Sequence, residues 1–74
     1  MNRSVSIIIP AYNEETKLAP TVDFALEALS RHNIVDFEII IFDDASTDKT
    51  GMIADELAAK YPQIRVVHNA KNMN

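Results

Sequence analysis

Two stretches of sequence decide the fold: SVSIIIPAYNEE at residues 4–15 and FEIIIFDDASTD at residues 37–48. Each begins with a β-branched run typical of a buried strand and continues into polar residues typical of a loop. We predict strands at residues 4–9 and 37–42, and expect the later part of the first strand to be buried on both faces. A shorter run at residues 64–67 alternates once between apolar and polar residues, which favours a third strand nearer the edge of the sheet.

Between these strands the apolar residues recur with the period of an α-helix. Residues 18–29 and 50–61 each carry one apolar stripe, so we predict an amphipathic helix in each segment. Pro20 is compatible with the first turn of the first helix, where no intrahelical N–H donor is needed. The second helix is expected to be capped by Ser46 or Thr47, and Asp48 is expected to favour its positive N-terminal end.

The predicted order is therefore β-α-β-α-β, an α/β chain with a parallel sheet. Right-handed crossovers give the strand order 3-2-1, a Rossmann-like half of a doubly wound fold. The polar stretch at residues 69–74 adds no closing element, so we expect the sheet to be incomplete. The first strand then has an unpaired edge at residues 7–9. This edge suggests an alternative function, a non-catalytic module that self-associates through the first strand.

The composition excludes several classes of protein. The chain has 74 residues, 47% of them hydrophobic, and this is typical of a globular chain rather than a disordered one. Seven Lys and Arg against eleven Asp and Glu give a net charge of −4, so nucleic acid is not an expected partner. The chain has no cysteine, so it has no disulfide framework or thiolate site. Without a membrane-length apolar run or a signal peptide, we expect a cytoplasmic protein.

Chemistry is expected where the first two strands end, because ligands of open α/β sheets bind beyond the carboxyl ends of the strands. The loops at residues 10–15 and 43–48 bring an aromatic ring, an amide and several carboxylates to this edge. Neither a G-x-G-x-x-G turn nor a P-loop is present. An ionised carboxylate only accepts hydrogen bonds, which suits the N–H edge of uracil, thymine or guanine better than adenine or cytosine. We therefore predict a uridine, thymidine or guanosine nucleotide as the ligand.

The segments Ser6–Glu15 and Phe42–Thr50 resemble the start of a family 2 glycosyltransferase, an enzyme of the GT-A fold that uses nucleotide-diphosphate sugars. The resemblance covers nearly all of the chain but only the opening portion of such an enzyme. It implies that residues 1–74 are the N-terminal part of a single glycosyltransferase domain that binds a UDP- or GDP-sugar. The dipeptide Asn72-Met73 resembles the sequence found at this point in the branch of the family that transfers sugars to polyprenyl phosphates. The resemblance therefore implies a polyprenyl phosphate or a glycan as the acceptor.

The resemblance also implies roles for individual residues. The positions that match the family's nucleoside site are Pro10, Tyr12, Glu14, Phe42 and Asp44. Asp44 would contact the base, and Asp43 would shape the turn. Ala45 stands where the family usually has Gly, which restricts this turn slightly.

The resemblance places the catalytic base and the D-x-D metal motif beyond residue 74. Catalytic and metal-binding residues are therefore not expected in this chain, and we expect the chain alone to be inactive. The full-length parent would use Mg²⁺ or Mn²⁺ to neutralise the leaving diphosphate. It would act in the cytoplasm or at the cytoplasmic face of the membrane.

Each of these residues also has a plainer interpretation. Asp43 and Asp44 could form only a turn at the end of a strand, and Tyr12 could be a packing aromatic. Glu14 could only favour the start of a helix through the helix dipole. His68 ends the third strand without a second His or Cys at ligand spacing, so a metal role is not favoured.

Overall fold

The computed structural model describes residues 4–70 of the chain. Its elements are β1 (Ser4–Ala11), α1 (Leu18–Arg31), β2 (Asp36–Asp44), α2 (Thr50–Lys60) and β3 (Ile64–Asn69). The predicted β-α-β-α-β order is confirmed, and each strand runs two residues beyond its predicted end. The polar residues at the ends of β2 and β3 therefore belong to the sheet and not to the loops.

The three strands form one parallel sheet in the order β1-β2-β3, which is the predicted order 3-2-1. In the central register, Ile39 of β2 is paired with Ile7 of β1 on one side and with Ile64 of β3 on the other. Both crossovers step in the same direction across the sheet, so right-handed connections place α1 and α2 on the same face. The hydrophobic core lies between this face and the helices.

Both helices bury the stripes that the sequence indicates. The buried residues of these two helices are Leu18, Val22 and Leu29 in α1, and Thr50, Ala54 and Leu57 in α2. Pro20 lies in the first turn of α1, as predicted. Neither helix within residues 4–70 has the length and apolar character that crossing a membrane requires.

The predicted cap of α2 is wrong. The helix begins at Thr50, and the carboxylate of Asp48 accepts its backbone N–H at 2.9 Å. Ser46 and Thr47 lie too early in the chain for this role and instead make hydrogen bonds to Asn13. Asp48 fills the role because a carboxylate two residues before a helix can reach the unpaired N–H groups of the first turn.

The other face of the sheet carries no helix within residues 4–70, and we call it the open face. It is formed by alternate residues of the strands, including Ile8, Pro10, Ile40, Phe42 and Val67. The expectation that the later part of β1 is buried on both faces is therefore wrong for the described residues. Ile7 and Ile9 pack against the core, but Ile8 is 65% exposed because both helices lie on the opposite side.

Candidate functional site

The loops that follow β1 and β2 are joined to each other by hydrogen bonds. We call residues 12–17 the first loop and residues 45–49 the second loop. The side-chain Oδ1 of Asn13 accepts the N–H of Thr47 at 2.8 Å, and the N–H of Asn13 donates to Oγ of Ser46 at 3.1 Å. These reciprocal bonds hold the two polar loops together at the carboxyl edge of the sheet.

The first loop is also anchored on the start of α2. The N–H of Glu14 donates to Oγ1 of Thr50 at 2.8 Å, and the Thr50 hydroxyl donates to the Asp48 carboxylate. The N–H of Glu15 donates to the other oxygen of Asp48 at 3.3 Å. Desolvation opposes ionisation of Asp48, but the hydrogen bonds from Thr50 and Glu15 outweigh it and lower the pKa of this carboxyl. Asp48 thus caps α2 and holds the first loop at the same time.

Two residues in these loops have left-handed backbone conformations. Asn13 has φ 51° and Ala45 has φ 58°. Asn tolerates this region, whereas an alanine Cβ is crowded there and costs about 1–2 kcal/mol. The resemblance implies Gly at the position of Ala45, and Gly would adopt this conformation without strain. The left-handed residue turns the chain directly after Asp44.

Asp43 and Asp44 point to opposite faces of the sheet, because successive side chains of a strand alternate. Asp43 lies on the helix side, is 6% exposed, and its Oδ2 lies 2.9 Å from Nδ1 of His68. Asp44 lies on the open face and is half-buried, and its Oδ1 accepts a hydrogen bond from Nδ2 of Asn69 at 3.2 Å. The two carboxylates cannot converge on one metal ion, and residues 4–70 contain no group of three or more His, Cys, Asp or Glu side chains that could hold one.

Asp43 shapes the turn after β2. Its Oδ1 accepts the N–H of Ser46 at 3.1 Å, which closes the chain over Asp44 and Ala45. Burial raises the pKa of the Asp43 carboxyl, but hydrogen bonds from Ser46 and His68 more than compensate and hold this pKa below its usual value. Asp43 is therefore ionised at neutral pH, and its bonds to the turn are charge-assisted.

Three of the five residues predicted for the nucleoside site lie together on the open face. Pro10 is paired with Phe42 across β1 and β2, and Asp44 follows Phe42 by two residues on the same face. Tyr12 stands just after the end of β1 and is 48% exposed. Because Ala11 at the end of β1 is paired with Asp43, Tyr12 follows β1 at the level where Asp44 ends β2.

Glu14 lies next to Pro10, on the α1 side of β1. It lines a cavity of about 130 Å³ at the α1 side of β1, whose other walls are Ile9, Pro10, Ala11, Lys17, Leu18 and Thr21. Its carbonyl oxygen accepts the N–H groups of Lys17 and Leu18. Glu14 therefore belongs to the entry into α1, while Pro10 borders both the cavity and the open face.

Sequence reasoning missed several residues that build this edge. His68 and Asn69 are paired in register with Asp43 and Asp44, and both also contact them through their side chains. Asn13 ties the loops together. The sequence could have indicated them, because polar residues directly follow the apolar runs of β2 and β3. Extending the predicted β3 by two residues places His68 and Asn69 beside Asp43 and Asp44.

Comparison with known proteins gives one consistent assignment. The family model of glycosyl transferase family 2 matches residues 6–74. The chain is similar to an uncharacterized glycosyltransferase EpsJ of Bacillus subtilis, with 39% identity over 89% of this chain and 18% of that protein. It is also similar to the human dolichyl-phosphate beta-glucosyltransferase, with 34% identity over 95% of this chain and 24% of that protein. A dolichol-phosphate mannosyltransferase of Pyrococcus furiosus is 40% identical over 90% of this chain and 18% of its own length.

Proposed function

The chain belongs to glycosyl transferase family 2, and from that membership we propose that it forms the nucleoside-binding part of an enzyme that uses a UDP- or GDP-linked sugar. The observation that carries the proposal is the position of Asp44. Its carboxylate lies at the carboxyl end of the central strand, on the open face, with one oxygen held by Asn69. This is the edge where open α/β sheets bind their ligands.

In this proposal Asp44 recognises the base through its N–H edge. Asn69 occupies one lone pair of the carboxylate, which leaves acceptor capacity for the imide N–H of uracil or the N1–H and N2–H₂ groups of guanine. Phe42 and Pro10 supply an apolar floor beside Asp44, and the exposed ring of Tyr12 flanks the base. Glu14 lines the site beside Pro10, with which it shares a cavity, and its N–H anchors the first loop on Thr50.

We expect the full-length gene product that contains these residues to bind UDP and GDP more tightly than ADP and CDP. A hydrogen bond to a charged group contributes about 1.5–3 kcal/mol, and adenine and cytosine offer an acceptor where Asp44 needs a donor. That energy corresponds to about 10- to 100-fold in affinity. Isothermal titration calorimetry with the four diphosphates measures the difference, and TDP is a further positive control. Equal affinity for all four would contradict the role of Asp44.

The chain spans about a fifth of the length of the relatives that it matches, so the reaction of the whole protein is also a proposal. We propose transfer of the sugar to a polyprenyl phosphate or a glycan, in the cytoplasm or at the cytoplasmic face of the membrane. The names of two relatives specify dolichyl or dolichol phosphate, which supports the first acceptor.

Metal and catalytic base are expected from outside this chain. No D-x-D motif occurs in the 74 residues, and the diverging side chains of Asp43 and Asp44 do not fit a shared Mg²⁺ or Mn²⁺ ion. When bound in the full-length protein, such an ion would neutralise the leaving diphosphate. The 74-residue chain alone is accordingly expected to transfer no sugar, and measurable transfer by it would contradict this division of roles.

A second candidate function, self-association through β1, is favoured by the sheet itself. Within residues 4–70, β1 is paired only with β2, and Ile8 on its open face is 65% exposed. An unpaired parallel edge with an apolar face is a template for a second copy of the chain. We expect light scattering to show dimers or larger species at high concentration, and a monomer throughout would contradict this candidate.

A further inference from the structure

We propose that His68, near the end of β3, is a positioning residue for the nucleoside site: it holds Asp43, and through Asp43 the turn that carries Asp44. This inference rests on the proposed function, because the turn matters for binding only if Asp44 contacts the base. His68 itself lies on the helix side of the sheet, opposite the open face, and would not touch the nucleotide.

The ring of His68 lies between two carboxylates from different elements. Nδ1 is 2.9 Å from Oδ2 of Asp43 in β2, and Nε2 is 2.8 Å from Oδ1 of Asp55 in α2. The Asp43 side chain is 8% exposed and the Asp55 side chain 63% exposed. His68 therefore connects β2, β3 and α2, with its buried contact directed at the end of the central strand.

From Asp43 a continuous series of hydrogen bonds reaches the first loop. The other oxygen of Asp43 accepts the N–H of Ser46 at 3.1 Å, and Oγ of Ser46 accepts the N–H of Asn13 at 3.1 Å. Asp44 lies inside the turn that the bond between Asp43 and Ser46 closes. Because a carboxylate with both oxygens bonded has one preferred orientation, the contact with His68 restricts the turn on the side opposite the ligand.

Gly51 provides the space for this arrangement. A Cβ atom at this position in α2 would lie 2.8 Å from Oδ2 of Asp43 and 3.5 Å from Cε1 of His68. The first distance is shorter than any van der Waals contact, so a side chain here would displace the Asp43 carboxylate. A glycine inside a helix costs about 0.5–1 kcal/mol relative to alanine. The close approach of Asp43 and His68 gives that cost a structural reason.

Protonation controls how many of these bonds His68 can donate. The charged groups that contact its ring are Asp43 from β2 and Asp55 from α2, and the hydrogen bonds to Asp55 and then Asp43 raise its pKa, against an opposing contribution from burial. Imidazolium donates to both carboxylates, whereas neutral imidazole has one N–H. Since the pKa is raised on folding, the stabilisation is fully present below the unfolded pKa of about 6.5 and is lost as pH rises through the folded pKa.

The test uses two variants that separate the two contacts. His68→Leu removes both, while His68→Asn keeps an amide donor near the position of Nδ1 and loses the contact with Asp55. In the full-length gene product we expect His68→Leu to weaken binding of UDP or GDP, whichever the wild type prefers, by about 10-fold, the effect of one lost bond to a charged group. His68→Asn should restore most of this affinity.

Gly51→Ala tests the same geometry without changing β3. It should lower nucleotide affinity because the added Cβ displaces the Asp43 carboxylate, while the better helix propensity of alanine offsets part of the stability that this displacement costs. Rescue of affinity by His68→Asn is the readout that a merely structural role would not move. In the 74-residue chain, the urea midpoint of the wild type should decrease as the pH is raised from 6 to 8.5. His68→Asn should make this decrease smaller.

The outcomes distinguish this inference from the proposed function. If the wild type binds UDP or GDP and folded His68→Leu and Gly51→Ala bind equally well, His68 is not a positioning residue, although the nucleotide site stands. If the wild type binds none of the nucleotides, both proposals are wrong. If His68→Leu does not fold, the Gly51→Ala affinity decides. A midpoint in the wild type that does not fall with rising pH would contradict donation by His68 to both carboxylates.

Discussion

Replacing Asp44 by Asn should weaken binding of UDP or GDP to the full-length gene product by about 10- to 100-fold, because a bond to a charged group contributes about 1.5–3 kcal/mol. The substitution keeps the volume of the side chain. It also keeps the hydrogen bond from Nδ2 of Asn69, because an amide oxygen accepts this bond as a carboxylate oxygen does. It removes the negative charge and one acceptor oxygen from the position proposed to face the N–H edge of the base. Calorimetric titration of wild type and variant measures the loss.

The matched control is Asp36→Asn. Asp36 begins the same strand, is exposed, and lies at the opposite end of the sheet from the loops. The substitution changes net charge by the same amount, so a general electrostatic effect would appear in both variants. We expect the affinity of Asp36→Asn to stay within about twofold of wild type, since surface changes away from special features have small effects. An unchanged affinity in Asp44→Asn would show that another group recognises the base.

The sequence predicted the strands because their apolar runs are long and β-branched, but it placed each strand end two residues early. Asp, His and Asn at the end of an apolar run are typical of loops. Here they continue the ladder because each has a partner on the next strand: Asp43 contacts His68, and Asp44 contacts Asn69. Such pairing depends on register, which a single segment does not encode.

The candidate site was predictable to the same extent. The hydrophobic pattern of each strand predicts that Pro10, Phe42 and Asp44 lie at one edge of the sheet, because the carboxyl ends of parallel strands meet there. The connections between the loops depend on contacts between distant residues, such as the bond from Glu14 to Thr50. The cap of α2 was misplaced for a related reason: a serine and a threonine in a loop are available as caps, but here they bond to Asn13.

The burial of β1 also could not be predicted in full from the hydrophobic pattern of its sequence. Three consecutive isoleucines predict burial on both faces, yet the pattern does not say whether the residues that cover each face belong to the same 74-residue segment. In residues 4–70 the helices cover one face, where Ile7 and Ile9 pack, and Ile8 remains on the open face.

Truncation of two neighbouring isoleucines in β2 should give very different losses of stability. Ile41 is fully buried between the sheet and the helices, so Ile41→Ala should cost about 2–5 kcal/mol through lost burial and the cavity left behind. That is a large share of the 5–15 kcal/mol that stabilises a typical domain, and in so short a chain it could unfold the protein. Urea denaturation of the 74-residue chain, followed by circular dichroism, measures the change.

Ile40→Ala is the matched control, since it removes the same atoms one residue away. Ile40 lies half-buried on the open face, so in the 74-residue chain its truncation should cost less than half as much as that of Ile41. The same pair of variants in the full-length gene product tests whether further residues cover the open face, because coverage would raise the cost of Ile40→Ala towards that of Ile41→Ala. A cost of Ile40→Ala that grows with the concentration of the 74-residue chain would instead assign the open face to a second copy. Equal losses in a monomeric 74-residue chain would contradict a core that lies on one side of the sheet.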